Sequence, residues 1–296
     1  MLWLFSEWEH HVERLGREPL VRLSMLGNRQ FSGGLIVFFF QFLIQAGLFF
    51  TIPLYLSVAL GLSAIDTGVK IIPLSVTLLI AAAGIPRFFR NVSPRLVVRA
   101  GLVAMFGGIV WLFRAIDVHA GAGIVTVPLL LAGLGIGALA SQLGSVTVSA
   151  VPDNESPEVG GLQNTATNLG ASIGTALAGS LLIAALTASF LHGIEQNPAV
   201  PPQVSAQANV KLAGGIPFIS DADLKAALTN AGASKDVTQA VLDDNEQARL
   251  DGLRTALAVL ALIALIALFF STRIPTEQPG SAKTQRPEHA SRHPGG

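Results

Sequence analysis

The sequence predicts an all-α membrane protein with six transmembrane helices, and three observations support this fold class. Charged residues make up only 13% of the 296-residue chain, against roughly 25% in ordinary soluble domains. Six apolar runs are each long enough to cross a bilayer, which takes about 20 residues of helix. Only one large polar segment interrupts these runs, and it precedes the last of them. Most of the chain is therefore expected to lie in lipid.

The predicted helices follow the apolar runs in order along the chain. They cover residues 31–60, 67–88, 96–116, 124–151, 160–188 and 253–271. Helices are expected because backbone N–H and C=O groups in lipid must pair within their own segment. Several runs exceed the minimum length, which allows the helices to tilt.

Basic residues cluster on one side of these helices. With a cytoplasmic N-terminus, the inside segments hold Arg14, Arg17, Arg22 and Arg29, then Arg87, Arg90, Arg95 and Arg99, and finally Arg273, Lys283, Arg286 and Arg292. The short turns on the opposite side, GLSAI and VHAGA, hold none. Lysine and arginine accumulate in cytoplasmic connections. Both termini of this multi-pass chain are therefore predicted to be cytoplasmic.

The polar segments divide the chain further. The predicted units are a cytoplasmic N-terminal segment (1–30), a five-helix membrane region (31–189), an extracytoplasmic loop (190–252), the sixth transmembrane helix (253–271) and a disordered cytoplasmic tail (272–296). Acidic residues outnumber basic ones in the loop, and parts of it have helical spacing. A lid or packing cap is the simpler interpretation of the loop, and a ligand-binding role is the alternative. Proline, glycine and polar residues dominate the tail, which predicts disorder.

Small residues recur at helical spacing in the fourth and fifth runs. The candidates for helix packing are Gly133, Gly137, Ser141, Gly170 and Gly174. Small side chains let helix backbones approach closely, which is how membrane helices pack without a hydrophobic driving force. Static packing is the simpler interpretation of the pattern, and an interface that slides or rocks is the alternative.

Uncharged polar side chains within the runs are the candidates for lining a cavity. They are Gln41, Gln45, Gln142 and Asn168. Asn168 belongs to a polar stripe that starts at Asn164 and follows one helix face. An amide donates and accepts hydrogen bonds without carrying charge, which suits a broad pocket for amphipathic or weakly cationic molecules. The alternative is that these amides only join helices to each other.

Several function classes have little support. Carboxylates and histidines fall outside the cores of the predicted spans, so the chain offers no obvious proton relay. The sequence contains no cysteine, which excludes disulfides and thiolate metal sites. No serine, histidine and carboxylate can be grouped together, and the formal net charge is zero. We therefore predict no enzymatic activity, cofactor, metal site or nucleic-acid partner.

Three segments together resemble the second half of the drug:proton antiporter branch with fourteen spans, in the major facilitator superfamily. The first begins EPLVRLSMLGNRQFSGGLIVFFFQFLIQAGLFF and resembles the family's entry into its ninth helix. The turn RNVSPRLVVRAG is similar to the basic loop between the next two helices. The segment AVPDNESPEVGGLQNTATNLGASIGTALAGSLL resembles the turn before the thirteenth helix and that helix itself. The resemblance covers roughly residues 18–270.

This resemblance implies one six-helix bundle of a transporter whose two bundles rock around a midplane site. The chain lacks the family's preceding helices and is expected to be a truncated or split exporter of amphipathic or cationic small molecules. Its partners would be lipid and an N-terminal half. Gln41 and Gln45 would contribute to the cavity, and the arginines Arg87, Arg90, Arg95 and Arg99 would hold the cytoplasmic gate. The alternatives are a homodimer with facilitative transport and a non-transporting membrane protein that binds a ligand or partner.

Overall fold

The computed structural model describes residues 23–117, 120–152, 155–196, 221–230 and 233–277. Seven α-helices occupy these ranges. They are α1 (Arg29–Leu54), α2 (Ala64–Phe88), α3 (Pro94–Ala115), α4 (Thr126–Val148), α5 (Ser156–Gln196), α6 (Asp221–Asn230) and α7 (Lys235–Phe270). All except α6 are long and apolar enough to cross a membrane. The predicted all-α membrane fold with six spans is confirmed.

Side-chain caps set the beginnings of four helices. The Asn28 side chain accepts hydrogen bonds from the backbone N–H groups of Gln30 and Phe31, which fixes the start of α1. Ser63, Ser93 and Ser234 cap α2, α3 and α7 in the same way. These side chains satisfy N–H groups that have no partner within a first helical turn.

The end of α1 is irregular because of its sequence. Pro53 lies inside the last turn of the helix, where its missing N–H removes a backbone hydrogen bond. The chain continues through one π-helical turn, Tyr55–Ala59. Gly61 then adopts a φ of 66°, a conformation that glycine adopts without steric cost. After this turn the chain enters α2, which packs mainly against α4.

Glycine contacts reveal how the helices run past each other. Gly170 and Gly174 of α5 lie against the backbone of α1 at Phe39 and Leu43, in increasing order along both helices, so α1 and α5 are parallel. The contacts of Gly133 and Gly137 with α2 show that α4 and α2 are also parallel. Helix α3 packs antiparallel to both α4 and α7.

Part of the packing repeats within the bundle. Helices α1, α2 and α3 correspond to α4, α5 and α7, respectively. Under this correspondence, the packing of α1 against α5 matches the packing of α4 against α2. Likewise, the packing of α3 against α4 matches the packing of α7 against α1. Two three-helix repeats of this kind form each six-helix half of a major-facilitator-type bundle.

The two ends of the bundle differ in character. The arginine end is where α1, α3 and α5 begin, and it carries Arg29, Arg87, Arg90, Arg95, Arg99 and Arg273. At the opposite end, α5 and α7 extend beyond the apolar spans and pack with α6 to form a helical lobe. Helix α7 has 36 residues, or about 54 Å at 1.5 Å per residue, so it is longer than a bilayer core is thick.

The helical lobe has a small core of its own. Its buried side chains are Leu186, Phe190, Ile194, Val241 and Ala248, against which Leu224 and Leu228 of α6 pack. The lobe occupies part of the segment expected to be an extracytoplasmic loop, with residues 190–196 and 235–252 continuing α5 and α7. Residues 197–220 of that segment lie outside the described residues, as do residues 1–22 and 278–296, which include most of the predicted N-terminal segment and tail.

Candidate functional site

A cleft between α1, α2 and α4 is the best candidate for a substrate site. Its volume is about 320 Å³, within the usual range of small-molecule pockets. The lining residues are Leu48, Phe49, Ile52, Pro53, Ile71, Leu74, Ser75 and Leu129. Seven are apolar and one carries a hydroxyl, a composition that suits a largely apolar ligand with a polar group.

Gln41 and Gln45 lie on the α1 face that leads into this cleft. The face runs from Gly34, which packs against Thr147 of α4, through the two glutamines to Leu48. Successive positions are three to seven residues apart, which keeps them on one side of a helix. Both amides are therefore directed toward α4, on the path from the arginine end to the cleft.

Within the described part of the chain, the side-chain oxygens of these two glutamines have no hydrogen-bond partner. Gln41 is only 2% exposed, and the Oε1 atoms of both Gln41 and Gln45 are buried without a donor among the residues that the structure describes. A buried acceptor left unpaired costs about 1–3 kcal/mol. Two such acceptors one turn apart favour a role in binding over a role in joining helices.

The other two cavity candidates lie elsewhere. Gln142 is buried, and helical spacing places it in line with Gly135 and Ala138, which face α3. Its Nε2 donates to the hydroxyl of Ser141 at 3.3 Å. Asn168 is exposed on the side of α5 that faces away from α1, and its amide donates to the backbone oxygen of Asn164 at 2.9 Å. The structure thus groups Gln41 with Gln45 and separates both from Gln142 and Asn168.

The sequence did not single out three polar residues near the cleft. Tyr55, the only tyrosine of the chain, is 1% exposed. Its hydroxyl and the buried hydroxyl of Thr67 both lack a hydrogen-bond partner among the described residues. Ser75 lines the cleft itself. The isolated tyrosine in an apolar run was an available signal, whereas Thr67 and Ser75 were indistinguishable from ordinary helix residues.

The glycines chosen for helix packing lie inside this bundle. A Cβ added to Gly133 or Gly137 would come within 2.4 Å of a carbonyl oxygen of α2. A Cβ on Gly170 or Gly174 would come within 2.3 Å of a carbonyl oxygen of α1. Ser141 is half-buried and donates to the Ala138 carbonyl at 2.7 Å. The four glycines therefore set the closest helix approaches within the bundle.

The four arginines at the arginine end separate into two pairs. The Arg95 Nε donates to the carbonyl of Ile274 at 2.6 Å, and the Arg99 Nε donates to the Ser271 hydroxyl at 3.2 Å. These bonds brace the start of α3 against the end of α7. Arg87 and Arg90 are exposed, and neither has a side-chain bond to any residue that the structure describes.

Helices α2 and α5 present exposed faces along their membrane spans. In the most apolar stretch of α2, only 11% of the residues are buried within the bundle. The exposed face of α5 carries a row of polar side chains beside the apolar Leu169 and Ile173. The polar residues are Asn164, Thr165, Asn168, Ser172 and Thr175. Polar side chains at lipid depth ordinarily face protein or water.

A second cavity, of about 590 Å³, lies between α2 and α3 near the arginine end and is also lined by α4. Its walls include Ile80, Phe88, Leu96, Val97 and Leu134. All of its lining residues are apolar, so it contains no side chain that would orient a polar ligand.

Comparison with known proteins assigns this architecture to a family. Residues 2–175 match the model of the Major Facilitator Superfamily. The chain is 25% identical over 239 residues to a probable actinorhodin transporter of Streptomyces coelicolor, covering 78% of the chain and 40% of the relative. It is 25% identical over 251 residues to the multidrug efflux pump LfrA of Mycolicibacterium smegmatis, covering 84% and 46%.

A third relative is the tetracenomycin C resistance and export protein of Streptomyces glaucescens, 28% identical over 173 residues, or 57% of the chain and 31% of the relative. The chain thus spans less than half the length of these relatives. The family match covers more than half of the chain and agrees with its six-helix bundle. The chain is a member of the Major Facilitator Superfamily.

Proposed function

We propose that the chain forms the C-terminal bundle of an exporter of amphipathic or cationic small molecules, driven by proton antiport. A second, N-terminal bundle completes the transporter. The exposed polar face of α5 carries this proposal, because it needs a protein or water surface at lipid depth. The barely buried α2 supports the same arrangement. Export of drugs by relatives of this chain supports the substrate class.

The cleft between α1, α2 and α4 is the contribution of this bundle to the substrate site. Gln41 and Gln45 supply unpaired acceptors, and Leu48, Phe49 and Leu74 supply apolar contact. An ammonium or hydroxyl group of a substrate would donate to the glutamine oxygens. The apolar walls would hold its hydrocarbon part.

The second bundle supplies the proton carrier. Within the described spans, carboxylates occur only near helix ends or in the lobe extensions. Proton-coupled transporters generally relay protons through acidic or histidine side chains at membrane depth. The antiport chemistry therefore needs residues from outside this bundle.

The arginine end faces the cytoplasm in this proposal. Basic residues gather there, as they do in cytoplasmic connections. Arg87 and Arg90 are free to pair with acids of the second bundle and close the cytoplasmic side. Arg95 and Arg99 support the gate by holding α3 to α7. The bacterial sources of the relatives support a location in a bacterial plasma membrane.

Efflux of a fluorescent cationic dye tests the proposal. Cells would express this chain alone, the N-terminal half of the Mycolicibacterium smegmatis relative alone, or both. Efflux only with both halves, abolished by a protonophore, is the expected result. Efflux by this chain alone, together with co-purification of two differently tagged copies, would replace the proposal with a homodimeric carrier.

A further inference from the structure

We propose that a groove between α3 and α7 at the arginine end binds one anionic phospholipid. The Arg99 guanidinium receives the phosphate, and an acyl chain lies along Val103, Leu265 and Phe269. The inference concerns a lipid site and is independent of the transported substrate.

The groove has the polarity gradient of a phospholipid. Its volume is about 540 Å³, and its lining residues are Arg99, Val103, Leu265, Leu268, Phe269 and Thr272. Arg99 and Thr272 lie at the helix ends. Helices α3 and α7 run in opposite directions, so both lead from this end into the span. Val103 lies about one turn deeper than Arg99, and Leu265 lies about two turns deeper than Thr272. The groove is thus charged and hydroxylated at its rim and apolar deeper in the membrane span.

Arg99 is held in place without its charge being neutralised. Its Nε donates to the Ser271 hydroxyl at 3.2 Å, which leaves the guanidinium's other N–H groups for a ligand. Residues 94–115 and 252–276 contain no aspartate or glutamate. Among the described residues, no carboxylate lies within salt-bridge distance of Arg99. An anion with a long apolar chain complements this combination.

The apolar part of the groove favours lipid over a protein helix. Val103 is 53% exposed, Leu265 45% and Phe269 73%, and all three are hydrocarbon side chains suited to acyl chains. The polar surface that a second bundle would cover lies on α5, which does not line this groove. Basic pockets between transmembrane helices bind anionic lipid headgroups in other membrane proteins.

Lipid titration of the purified full chain in neutral detergent tests the site. Native mass spectrometry would count bound phosphatidylglycerol, with phosphatidylcholine as the zwitterionic comparison and glycerol phosphate as the headgroup without chains. We expect one phosphatidylglycerol retained more tightly than phosphatidylcholine. Arg99→Gln should weaken its binding about fivefold, since one arginine near a membrane surface contributes about that factor.

Two further variants separate a site from general surface charge. Arg87→Gln removes the same charge at the same end of the bundle and should change binding less than about twofold. Val103→Trp keeps the arginine, fills the groove and should lower retention of the lipid without changing glycerol phosphate binding. Equal losses for Arg87→Gln and Arg99→Gln, equal binding of both lipids, or equal binding of glycerol phosphate and lipid would overturn the proposal.

Discussion

At the scale of single residues, the close contact of Gly174 with α1 gives a sharp prediction. A Cβ at Gly174 would lie 2.1 Å from the Leu43 oxygen, whereas one at Gly179 would meet Phe50 at 3.5 Å. Gly174→Ala should therefore force the two backbones apart and destabilise the bundle by about 1–3 kcal/mol. Gly179→Ala should be neutral or stabilising by up to about 1 kcal/mol, because alanine favours helix. Thermal unfolding in one detergent would measure both, and equal midpoints would contradict the close approach.

The unpaired oxygen of Gln41 predicts a conflict between stability and transport. Gln41→Leu removes a buried acceptor without a partner and should stabilise the bundle by about 1 kcal/mol. The same change should reduce dye efflux in the two-half transporter, because the cavity loses a polar contact. Gln163→Leu is the matched control, since Gln163 donates to the Thr147 hydroxyl and its loss should destabilise. A destabilised Gln41→Leu variant would show that this amide joins helices.

Residue-level sequence reasoning placed Gln41 and Gln45 together because i and i+4 share a helix face. It could not place Gln142, because tertiary packing decides which neighbouring helix each face of α4 meets. Helical spacing with Gly135 and Ala138 puts Gln142 on the α4 face that meets α3, away from the cleft. The same reasoning grouped Arg87, Arg90, Arg95 and Arg99 by sequence, whereas the structure divides them between solvent and the end of α7.

At the scale of elements, helix existence was predictable and helix ends were not. The α5 span was expected to stop at residue 188 and the last span to begin at residue 253. Hydropathy detects where lipid requires apolar side chains, but a helix also continues into water where an amphipathic face finds a partner. Leu186, Phe190 and Ile194 provide that face for α5, against Val241 of α7.

An ion pair joins α6 to α7 in the helical lobe. Arg249 is fully buried and pairs with Asp221 of α6 at 2.8 Å. Asp221→Ala leaves the arginine in place without this carboxylate and should loosen α6 by about 1–2 kcal/mol, a value reduced because Asp221 is partly exposed. Hydrogen exchange should accelerate in residues 221–230 and remain unchanged in α3. The exposed Lys225→Ala is the control, and the same acceleration there would remove the ion pair as the cause.

At the scale of the whole molecule, the distribution of polar surface predicts which side meets a second bundle. The exposed side of α5 carries polar side chains at lipid depth beside Leu169 and Ile173, whereas the exposed side of α7 carries apolar residues such as Leu262. Asn168→Trp adds bulk to the polar face and should abolish co-purification with the N-terminal half. Leu262→Trp, on a residue that is 55% exposed, should leave co-purification intact. If the two variants lose the partner half equally, the polar face of α5 is not where the bundles join.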